Sequence, residues 1–287
     1  MRHAILGAGG IGGLLAAALA RAGSDVVLLL RPDSLERYDG RLAVQSAVLG
    51  DFEVDVPAVA LLDRNVDALW VTTKATQLNA SLALAPAEGV GDAVVIPLLN
   101  GVDHLAFLRT HYRNVVAAAI RVESERLSPM RIRQSSPFLR MQLAGAESIA
   151  DEVRAAGIEC SLRTDELSLL WDKLAFLAPL ALATTALEAP LGAVREDERY
   201  RGSQNEALAV ARAEGAHIDE EALRALQASA PGEMQSSMQK DVAAGRQPEL
   251  DAIAGPILRG GMQHGIPVPN TDTLARLINA RSSRGSE

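Results

Sequence analysis

Six residues near the start of the chain have the types and spacing of a binding site for a phosphate-bearing ligand. They follow an apolar run at residues 4–6 and are Gly7, Ala8, Gly9, Gly10, Ile11 and Gly12. In a G-x-G-x-x-G sequence between a strand and a helix, the first glycine permits a tight turn. The second lets a pyrophosphate approach the backbone, and the third lets the helix pack closely on the strand. Free amides at the helix N-terminus then bind the anion, so the pattern predicts a dinucleotide site.

A second interpretation of the same stretch is a secretory signal sequence. Arg2 and His3 precede a long uncharged run, which is the charge pattern of such a segment. Five glycines between residues 7 and 13 argue against it, because glycine is a poor helix former. The dinucleotide site is therefore the favoured interpretation.

The residue after the second predicted strand bears on which dinucleotide binds. The apolar run at residues 26–30 is followed by Arg31, where an Asp or Glu would hydrogen-bond the 2′-hydroxyl of NAD. Arginine offers a planar set of donors that suits a phosphate, so Arg31 favours NADP, although Asp33 lies two residues later. The alternative is that Arg31 is a solvated strand end.

Four further clusters contain polar residues at strand ends or in the second half of the chain. Lys74 and Asn100 follow apolar runs, and ligands of open α/β sheets bind at the carboxyl ends of strands. Lys173 lies in the first long helical stretch of the second half, and Glu249 follows Ser237 by twelve residues. An ammonium group can stabilise and then protonate the negative oxygen that forms when a carbonyl is reduced.

The order and spacing of these residues resemble the ketopantoate reductase (2-dehydropantoate 2-reductase) family over nearly the whole chain. Besides the glycine pattern and Arg31, the resemblance rests on five short motifs. They are K-A-x-Q, N-G-V, W-x-K-L, S-S-M-x-x-D and H-G-I-P-V-P-N-T, which begin at Lys74, Asn100, Trp171, Ser236 and His264. The resemblance implies NADPH-dependent reduction of a 2-oxo acid to a 2-hydroxy acid.

The resemblance also implies a role for each matching residue. Lys173 matches the general acid, Ser237 a hydroxyl that binds substrate, and Glu249 a residue near the nicotinamide and ribose that helps to keep the lysine charged. Lys74 and Asn100 match positions that line the cofactor and the substrate. Glu249 is therefore expected to serve both catalysis and cofactor binding, and Asn100 both cofactor and substrate.

Residue chemistry alone leaves another interpretation of Lys173 open. A lysine is protonated at neutral pH unless it is strongly desolvated, so Lys173 starts in the acid form. The same ammonium group could equally form a solvated helix ion pair with Asp172 or Glu166. Without the family resemblance, this ion pair is the favoured interpretation.

Two residues on the same helix depart from the family pattern. Relatives usually carry asparagines four and eight residues after the lysine, where this chain has Leu177 and Ala181. Positions i, i+4 and i+8 share a helix face, so hydrocarbon is predicted to line the substrate beside Lys173. Three functions remain open: a ketopantoate reductase with an altered pocket, a reductase of a less polar carbonyl or imine, and a non-catalytic NADP-binding protein.

The first half of the chain alternates short apolar runs with helical patterns. Strands are predicted at residues 3–6, 26–30, 68–72, 93–97 and 115–120, and helices near 11–22, 75–85 and 102–111. This alternation predicts a parallel sheet covered by helices. Residues 42–57 and 131–143 each read as a hairpin, so we expect the sheet to be mixed beyond its parallel core.

Helical periodicity dominates the second half. It fills residues 165–187, 200–214, 219–229 and 250–264, and residues 281–287 have the composition of a frayed tail. We therefore expect an α/β protein with an N-terminal Rossmann-type doubly wound sheet and a C-terminal all-helical domain. The predicted boundaries are residues 1–164 for the NADP-binding domain and 165–287 for the substrate and catalytic domain.

Composition narrows the classes of partner. The formal net charge of -8 provides no basic surface for nucleic acid, and Cys160 is the only cysteine, so no intrachain disulfide forms. The histidines show no metal-ligand spacing; they are His3, His104, His111, His217 and His264. No other stretch reads as a membrane span. We expect a cytoplasmic protein, with no metal, that binds NADP and a small-molecule substrate. The apolar helical half could pair across a homodimer, but one chain does not determine the oligomeric state.

Overall fold

The computed structural model describes residues 1–284 and divides into two compact units. The first unit contains Met1–Leu99 and His104–Leu169. The second contains Asn100–Asp103 and the chain from Leu170 onward. The short segment Asn100–Asp103 therefore belongs to a different unit from the strand that precedes it.

Twelve strands of the first unit form three sheets. They are β1 (Arg2–Leu6), β2 (Asp25–Leu29), β3 (Arg41–Ser46), β4 (Phe52–Asp55), β5 (Ala58–Val59), β6 (Ala68–Val71), β7 (Val94–Pro97), β8 (Ala118–Arg121), β9 (Ser124–Ser128), β10 (Arg131–Gln134), β11 (Arg140–Leu143) and β12 (Glu159–Leu162). The largest sheet has the order β5-β2-β1-β6-β7, and all its pairings are parallel. This arrangement confirms the predicted Rossmann-type sheet.

Helix α1 forms the centre of the first unit's core. The helices of this unit are α1 (Gly10–Arg21), α2 (Pro32–Leu35), α3 (Leu78–Ser81), α4 (Ala87–Val90), α5 (His104–Arg109) and α6 (Glu147–Ala155). Small and apolar side chains make α1 buried from Gly12 to Leu19, and it packs against β1 and β2 and also against β9 and β10. A Cβ atom at Gly13 would lie 2.6 Å from Ile132 Cδ1, so glycine permits this close approach to β10.

The structure confirms the first predicted hairpin and overturns the second. Strands β3 and β4 pair antiparallel, with Val44 opposite Phe52. Strands β10 and β11, in contrast, belong to different sheets: β10 pairs with β3 and β9, and β11 with β8 and β12. Buried Gln134 accepts a 2.6 Å hydrogen bond from Ser46 and donates to Ser136, which ties the connecting segment to β3. The expectation that the large sheet is mixed is therefore wrong, because the antiparallel pairs lie in two separate sheets.

Helices form the second unit. They are α7 (Glu166–Leu187), which begins at the end of the first unit, α8 (Leu191–Val194), α9 (Glu198–Ala213), α10 (Glu220–Ser229), α11 (Ser237–Ala243), α12 (Leu250–His264) and α13 (Pro269–Arg284). Side chains of Asp197, Asp219 and Ser236 cap the starts of α9, α10 and α11 by accepting backbone N–H groups. These caps explain why polar residues mark the helix boundaries.

Helix α7 corrects one expectation about membrane spans. It is long and apolar enough to cross a membrane, yet 72% of its most apolar window is buried inside the protein, as in a core helix. Pro179 lies within it and removes the N–H group that would bond the Ala175 carbonyl. Gln227 Nε2 donates to that carbonyl at 3.2 Å instead, so a buried side chain from α10 supplies the hydrogen bond that the proline removes.

The predicted frayed tail is helical where the structure describes it. Helix α13 continues to Arg284, and Arg281 forms a 3.0 Å ion pair with Glu188 and donates to the Thr185 carbonyl. These contacts to α7 and the residue that follows it explain why the helix extends beyond the expected end. Residues 285–287 of the predicted tail lie outside the described residues.

A buried histidine on β1 belongs to a hydrogen-bond network in the first unit. His3 has no exposed surface, and its Nδ1 accepts a 3.1 Å hydrogen bond from Trp70 Nε1. The proton therefore sits on Nε2, which lies 3.4 Å from Glu152. Ser24 and the amino group of Met1 also contact this carboxylate. Burial lowers the pKa of His3, and the hydrogen bond from Ser24 lowers the pKa of Glu152.

We expect the stability of the protein to fall as the pH drops below about 6.5, the ordinary pKa of histidine. Because the pKa of His3 is lowered in the folded chain, the unfolded chain binds its proton first as pH decreases. Urea midpoints between about pH 7.5 and about pH 5.5 should therefore decrease more for the wild type than for His3→Asn. Asparagine keeps an acceptor for Trp70 and does not titrate.

The control is His111→Asn at an exposed histidine of the same unit. Its pH profile should match that of the wild type. The pKa of Glu152 is lowered as well, so the stability that Glu152 contributes is lost only as the pH falls below its ordinary pKa of about 4.5. The two groups therefore act in separate pH ranges. Equal losses of midpoint in wild type and His3→Asn would contradict the assignment to His3.

Candidate functional site

The glycine turn between β1 and α1 has the geometry that its sequence predicts. Gly7 has φ = 101°, a conformation that favours glycine, and a Cβ atom there would lie 2.8 Å from Thr73 Cγ2. A Cβ atom at Gly12 would overlap the Gly7 carbonyl oxygen and Thr72 Oγ1. Thr72 Oγ1 donates to the Gly7 carbonyl at 2.6 Å. The first and third glycines therefore allow the helix start to pack against the turn and the end of β6.

The same turn leaves room for a ligand at Gly9. A Cβ atom at Gly9 would meet nothing within 4 Å, so the backbone there is open to a bound group. The first N–H groups of α1, which begins at Gly10, have no intrahelical partner. Thr73 Oγ1 is buried beside the turn and has no hydrogen-bond partner among residues 1–284. Open backbone, helix amides and a free hydroxyl together fit the pyrophosphate of a dinucleotide.

Arg31 and Lys74 lie at the same edge of the sheet as the glycine turn. Arg31 follows β2 by two residues and is exposed, and Lys74 follows β6 by three residues and is half-buried. Strands β2 and β6 flank β1, and the carboxyl ends of parallel strands meet at one edge. The structure therefore places these two predicted cofactor residues on either side of the turn.

Strand β9 contributes contacts to the turn that the sequence analysis missed. Ser124 Oγ donates to the Gly10 carbonyl at 2.8 Å, and Arg126 Nη1 donates to the Ala8 carbonyl at 3.2 Å. Apart from Leu127, the sequence of β9 is polar, so hydrophobic alternation gave no signal for a strand there. A search for basic residues following the strand of residues 115–120 would have found Arg126.

Two predicted polar residues meet in the second unit. Asn100 Nδ2 donates to Glu249 Oε2 at 3.4 Å, although 149 residues separate them in sequence. Gly101 has φ = 86°, and a Cβ atom there would overlap the Ala252 carbonyl oxygen. Pro256 in α12 removes the helical N–H partner of this same carbonyl. The glycine therefore lets the Asn100 loop lie directly against the first turn of α12, next to Glu249.

Helix α7 presents two of its three predicted residues at its surface. Lys173 and Leu177 are half-buried and one helical turn apart, whereas Ala181 is fully buried at 0% exposure. The expectation that Ala181 lines the substrate wall is therefore not met, since the face that begins at Lys173 enters the protein core before residue 181. Of the two residues that depart from the family pattern, only Leu177 is accessible, so only Leu177 makes this helix face less polar.

Ser237 lies exposed at the start of α11, and its neighbours explain the S-S-M motif. Buried Ser236 caps the helix by accepting the Gln239 N–H group at 3.0 Å. Thr184 Oγ1 donates to Ser236 at 3.0 Å, and Thr185 lies 3.4 Å from the same oxygen. The two threonines of α7 therefore have a structural role. They hold Ser236 in place, and this positions the exposed side chain of Ser237.

Lysine is used sparingly in this chain. Of 28 lysine and arginine residues, only three are lysines, at positions 74, 173 and 240. Arginine forms the bidentate ion pairs of the surface, as between Arg109 and Glu166 at 2.7 Å. Lysine differs in carrying a compact ammonium group that can give up its proton in a reaction. Two of the three lysines occupy predicted site positions, so the scarcity of lysine is itself a compositional signal for the site.

Comparisons with known proteins match both halves of the chain. The family model described as "Ketopantoate reductase PanE/ApbA" matches residues 3–144, and "Ketopantoate reductase PanE/ApbA C terminal" matches residues 166–282. A 2-dehydropantoate 2-reductase of Caulobacter vibrioides is 30% identical over 96% of this chain and 98% of its own length.

Solved structures agree with this match in fold. A PanE/ApbA family ketopantoate reductase from Ralstonia eutropha is 27% identical, with a TM-score of 0.89 over 100% of both chains. A D-mandelate dehydrogenase, solved with NADH and anilino(oxo)acetate, is 22% identical, with a TM-score of 0.90 over 100% of both chains. The second similarity, at this level of identity, concerns the fold alone.

Proposed function

The chain belongs to the ketopantoate reductase family, and we propose that it is an NADPH-dependent reductase that converts the carbonyl of a 2-oxo acid to the hydroxyl of a 2-hydroxy acid. The observation that carries the proposal is the contact between Asn100 and Glu249, two positions of the family motif that the fold joins across 149 residues. We assign NADP binding to residues 1–164 and the catalytic and substrate residues mainly to residues 165–287. We also assign the protein to the cytoplasm.

The reaction needs a proton as well as the hydride that bound NADPH supplies to the carbonyl carbon. Lys173 donates this proton to the carbonyl oxygen, so that the C=O group becomes C–OH, and the neutral amine then regains a proton from water. Before that transfer, its positive charge stabilises the negative oxygen. A carboxylate favours the charged form of a lysine, and this is the role we assign to Glu249.

Polar residues around the acid orient the reactants. Glu249 accepts one N–H of the Asn100 amide, which fixes the amide plane and leaves the carbonyl oxygen and the second N–H for the cofactor or substrate. Ser237 offers an exposed hydroxyl to the substrate. On the cofactor side we assign the glycine turn to the pyrophosphate, Arg31 to the 2′-phosphate and Lys74 to the lining of the site.

A second candidate is reduction of a less polar carbonyl or imine by the same acid. It is favoured by Leu177, which is half-buried one turn from Lys173, at a position where the family pattern has an asparagine. Loss of a hydrogen bond to a buried substrate group typically costs about 1–3 kcal/mol. That cost disfavours a substrate with a hydroxyl on its side chain, such as ketopantoate, and favours one with a hydrocarbon side chain.

The experiment that tests the function is the loss of NADPH absorbance in the presence of single carbonyl substrates. The panel contains ketopantoate, aliphatic and aromatic 2-oxo acids, simple ketones and cyclic imines. Turnover of a 2-oxo acid supports the proposal, and a higher kcat/KM for apolar 2-oxo acids than for ketopantoate supports the second candidate. Tight NADPH binding without turnover of any compound would overturn both.

We expect Arg31→Ala to weaken NADPH binding by about 10- to 100-fold, because one charged hydrogen bond to a phosphate is lost. NADH has no 2′-phosphate, so its Kd should change by less than about twofold. Fluorescence titration of both nucleotides measures the two constants. Arg37→Ala, at an exposed arginine six residues further on, is the matched control and should leave both unchanged. Equal losses of affinity for NADPH and NADH would show that Arg31 does not contact the 2′-phosphate.

A further inference from the structure

One face of β9 is pressed against the glycine turn. Side chains alternate between the two faces of a strand, so Ser124 and Arg126 share a face, and both donate hydrogen bonds to carbonyl groups of the turn. A Cβ atom at Gly10 would lie 2.6 Å from the carbonyl carbon of Ser124, so the backbones of strand and turn are in direct contact. Strand β9 therefore fixes the position of residues 8–10.

The two contacts differ in charge. The hydroxyl of Ser124 is enough to satisfy the Gly10 carbonyl, and a neutral donor would serve the Ala8 carbonyl as well. Arg126 instead brings a guanidinium group with five N–H donors, of which the hydrogen bond to Ala8 uses one. Its remaining donors lie beside the turn, at the residue between the first two glycines of the pattern.

The charge of Arg126 is not neutralised by a neighbouring carboxylate. The side chain is exposed, and it forms no ion pair with any residue of the part of the chain that the structure describes. On the adjacent strand β10, Arg133 lies 3.5 Å from Glu125, which points to the opposite face of β9. A positive charge is thus held at the glycine turn, while the arginine next to it is paired.

A phosphate at the turn would lie close to an electronegative carbonyl oxygen. The Ala8 carbonyl repels an anion, and the hydrogen bond from Arg126 offsets that repulsion. The guanidinium group is also planar and binds phosphate oxygens through paired N–H groups. Both properties suit an arginine that donates hydrogen bonds to a backbone carbonyl and to a bound anion at the same time.

We propose that Arg126 is a phosphate-binding residue that contacts the pyrophosphate of the cofactor while it holds the Ala8 carbonyl. The proposal rests on the proposed function, in which the glycine turn binds NADPH. It adds a residue outside the G-x-G-x-x-G motif to the cofactor site. It also separates two arginine roles, since Arg31 would recognise the 2′-phosphate and Arg126 the pyrophosphate that NADPH and NADH share.

The test compares ligands that carry the pyrophosphate, the 2′-phosphate or both. Isothermal titration gives the Kd of wild type and Arg126→Gln for NADPH, NADH, ADP-ribose and adenosine 2′-monophosphate. We expect Arg126→Gln to weaken the first three ligands by a similar factor of about 10 to 100, because all three contain the pyrophosphate. The Kd for adenosine 2′-monophosphate, which lacks it, should stay within about twofold of the wild type.

Two further variants separate charge from structure. Arg126→Lys keeps the charge without the planar fork and should recover part of the affinity. It also replaces Arg126→Gln if that variant does not fold. Arg133→Gln, on the neighbouring strand, should bind all four ligands like the wild type.

Three results would overturn the proposal. If Arg126→Gln bound ADP-ribose as tightly as the wild type does, Arg126 would not contact the pyrophosphate, and the proposed function would stand. Equal weakening of ADP-ribose and adenosine 2′-monophosphate would assign the loss to a general change of the turn. A wild-type protein that binds none of the four ligands would overturn the proposed function, and the role of Arg126 with it.

Discussion

Replacing Lys173 by alanine is expected to lower kcat by about 100- to 10,000-fold while the Kd for NADPH stays within about twofold of the wild type. Alanine cannot donate the proton that the carbonyl oxygen needs, and it removes the charge that stabilises that oxygen during the reaction. Single-turnover kinetics with the best 2-oxo acid of the panel measures the chemical step, and fluorescence titration measures NADPH binding. A selective loss of kcat is the result expected of a general acid.

The scarcity of lysine provides matched controls for this experiment. Lys240→Ala removes an exposed lysine on α11 of the same unit and should leave kcat unchanged. Lys173→Arg keeps a positive charge but cannot release its proton at neutral pH, so its kcat should remain well below that of the wild type. If Lys173→Ala turned over substrate as fast as Lys240→Ala, Lys173 would not be the general acid, and its role would be an ion pair on the helix.

The parts of the fold that could be predicted are those that local pattern determines. The glycine turn lies between an apolar strand and an alanine-rich helix, and these elements form where the sequence indicates them. The four longer helices predicted in the second half match α7, α9, α10 and α12 closely. Each of these elements carries its signal within about 20 residues, as hydrophobic periodicity bounded by caps or breakers.

Other parts depend on pairing between distant segments. Strand β9 is mostly polar because it contacts the glycine turn through Ser124 and Arg126, so periodicity does not reveal it. Residues 131–143 look like a hairpin, but β10 and β11 find partners in different sheets. Strand partners are chosen by packing across the whole unit, which a window of sequence does not contain.

The candidate site shows the same division. Family motifs located Asn100 and Glu249, yet only the folded chain shows that they meet, through the glycine at 101 and the proline in α12. Helical spacing placed Ala181 on the face of Lys173, but spacing does not tell where that face enters the core. Periodicity gives the direction of a side chain, and burial is decided by the neighbours that pack against it.

The last family motif, H-G-I-P-V-P-N-T, has a structural role in the second unit. Buried Glu206 on α9 accepts hydrogen bonds from the backbone N–H and side chain of Asn270, at 2.9 and 2.7 Å. It also accepts the backbone N–H and hydroxyl of Thr271, at 2.8 and 2.7 Å. One carboxylate therefore satisfies four donors at the start of α13, and a Cβ atom at Gly202 would overlap the Asn270 side chain.

We expect Glu206→Gln to lower the free energy of unfolding by about 2–4 kcal/mol. Glutamine has nearly the same shape, but its NH₂ group would face two of the donors that the carboxylate now accepts. Those donors, at Asn270 or at Thr271, would lose their acceptor, and Thr271 has no exposed surface at which water could replace it. Urea unfolding followed by circular dichroism measures the change.

An exposed glutamate of the same helix provides the control for Glu206. Glu198→Gln should change the free energy of unfolding by less than about 1 kcal/mol, since it only removes a charge from the first turn of α9. Thr271→Val tests the pair directly. Because Glu206 and Thr271 share two hydrogen bonds, the double variant should lose less than the sum of the two single losses. Equal unfolding free energies for Glu206→Gln and Glu198→Gln would show that the carboxylate does not hold α13 in place.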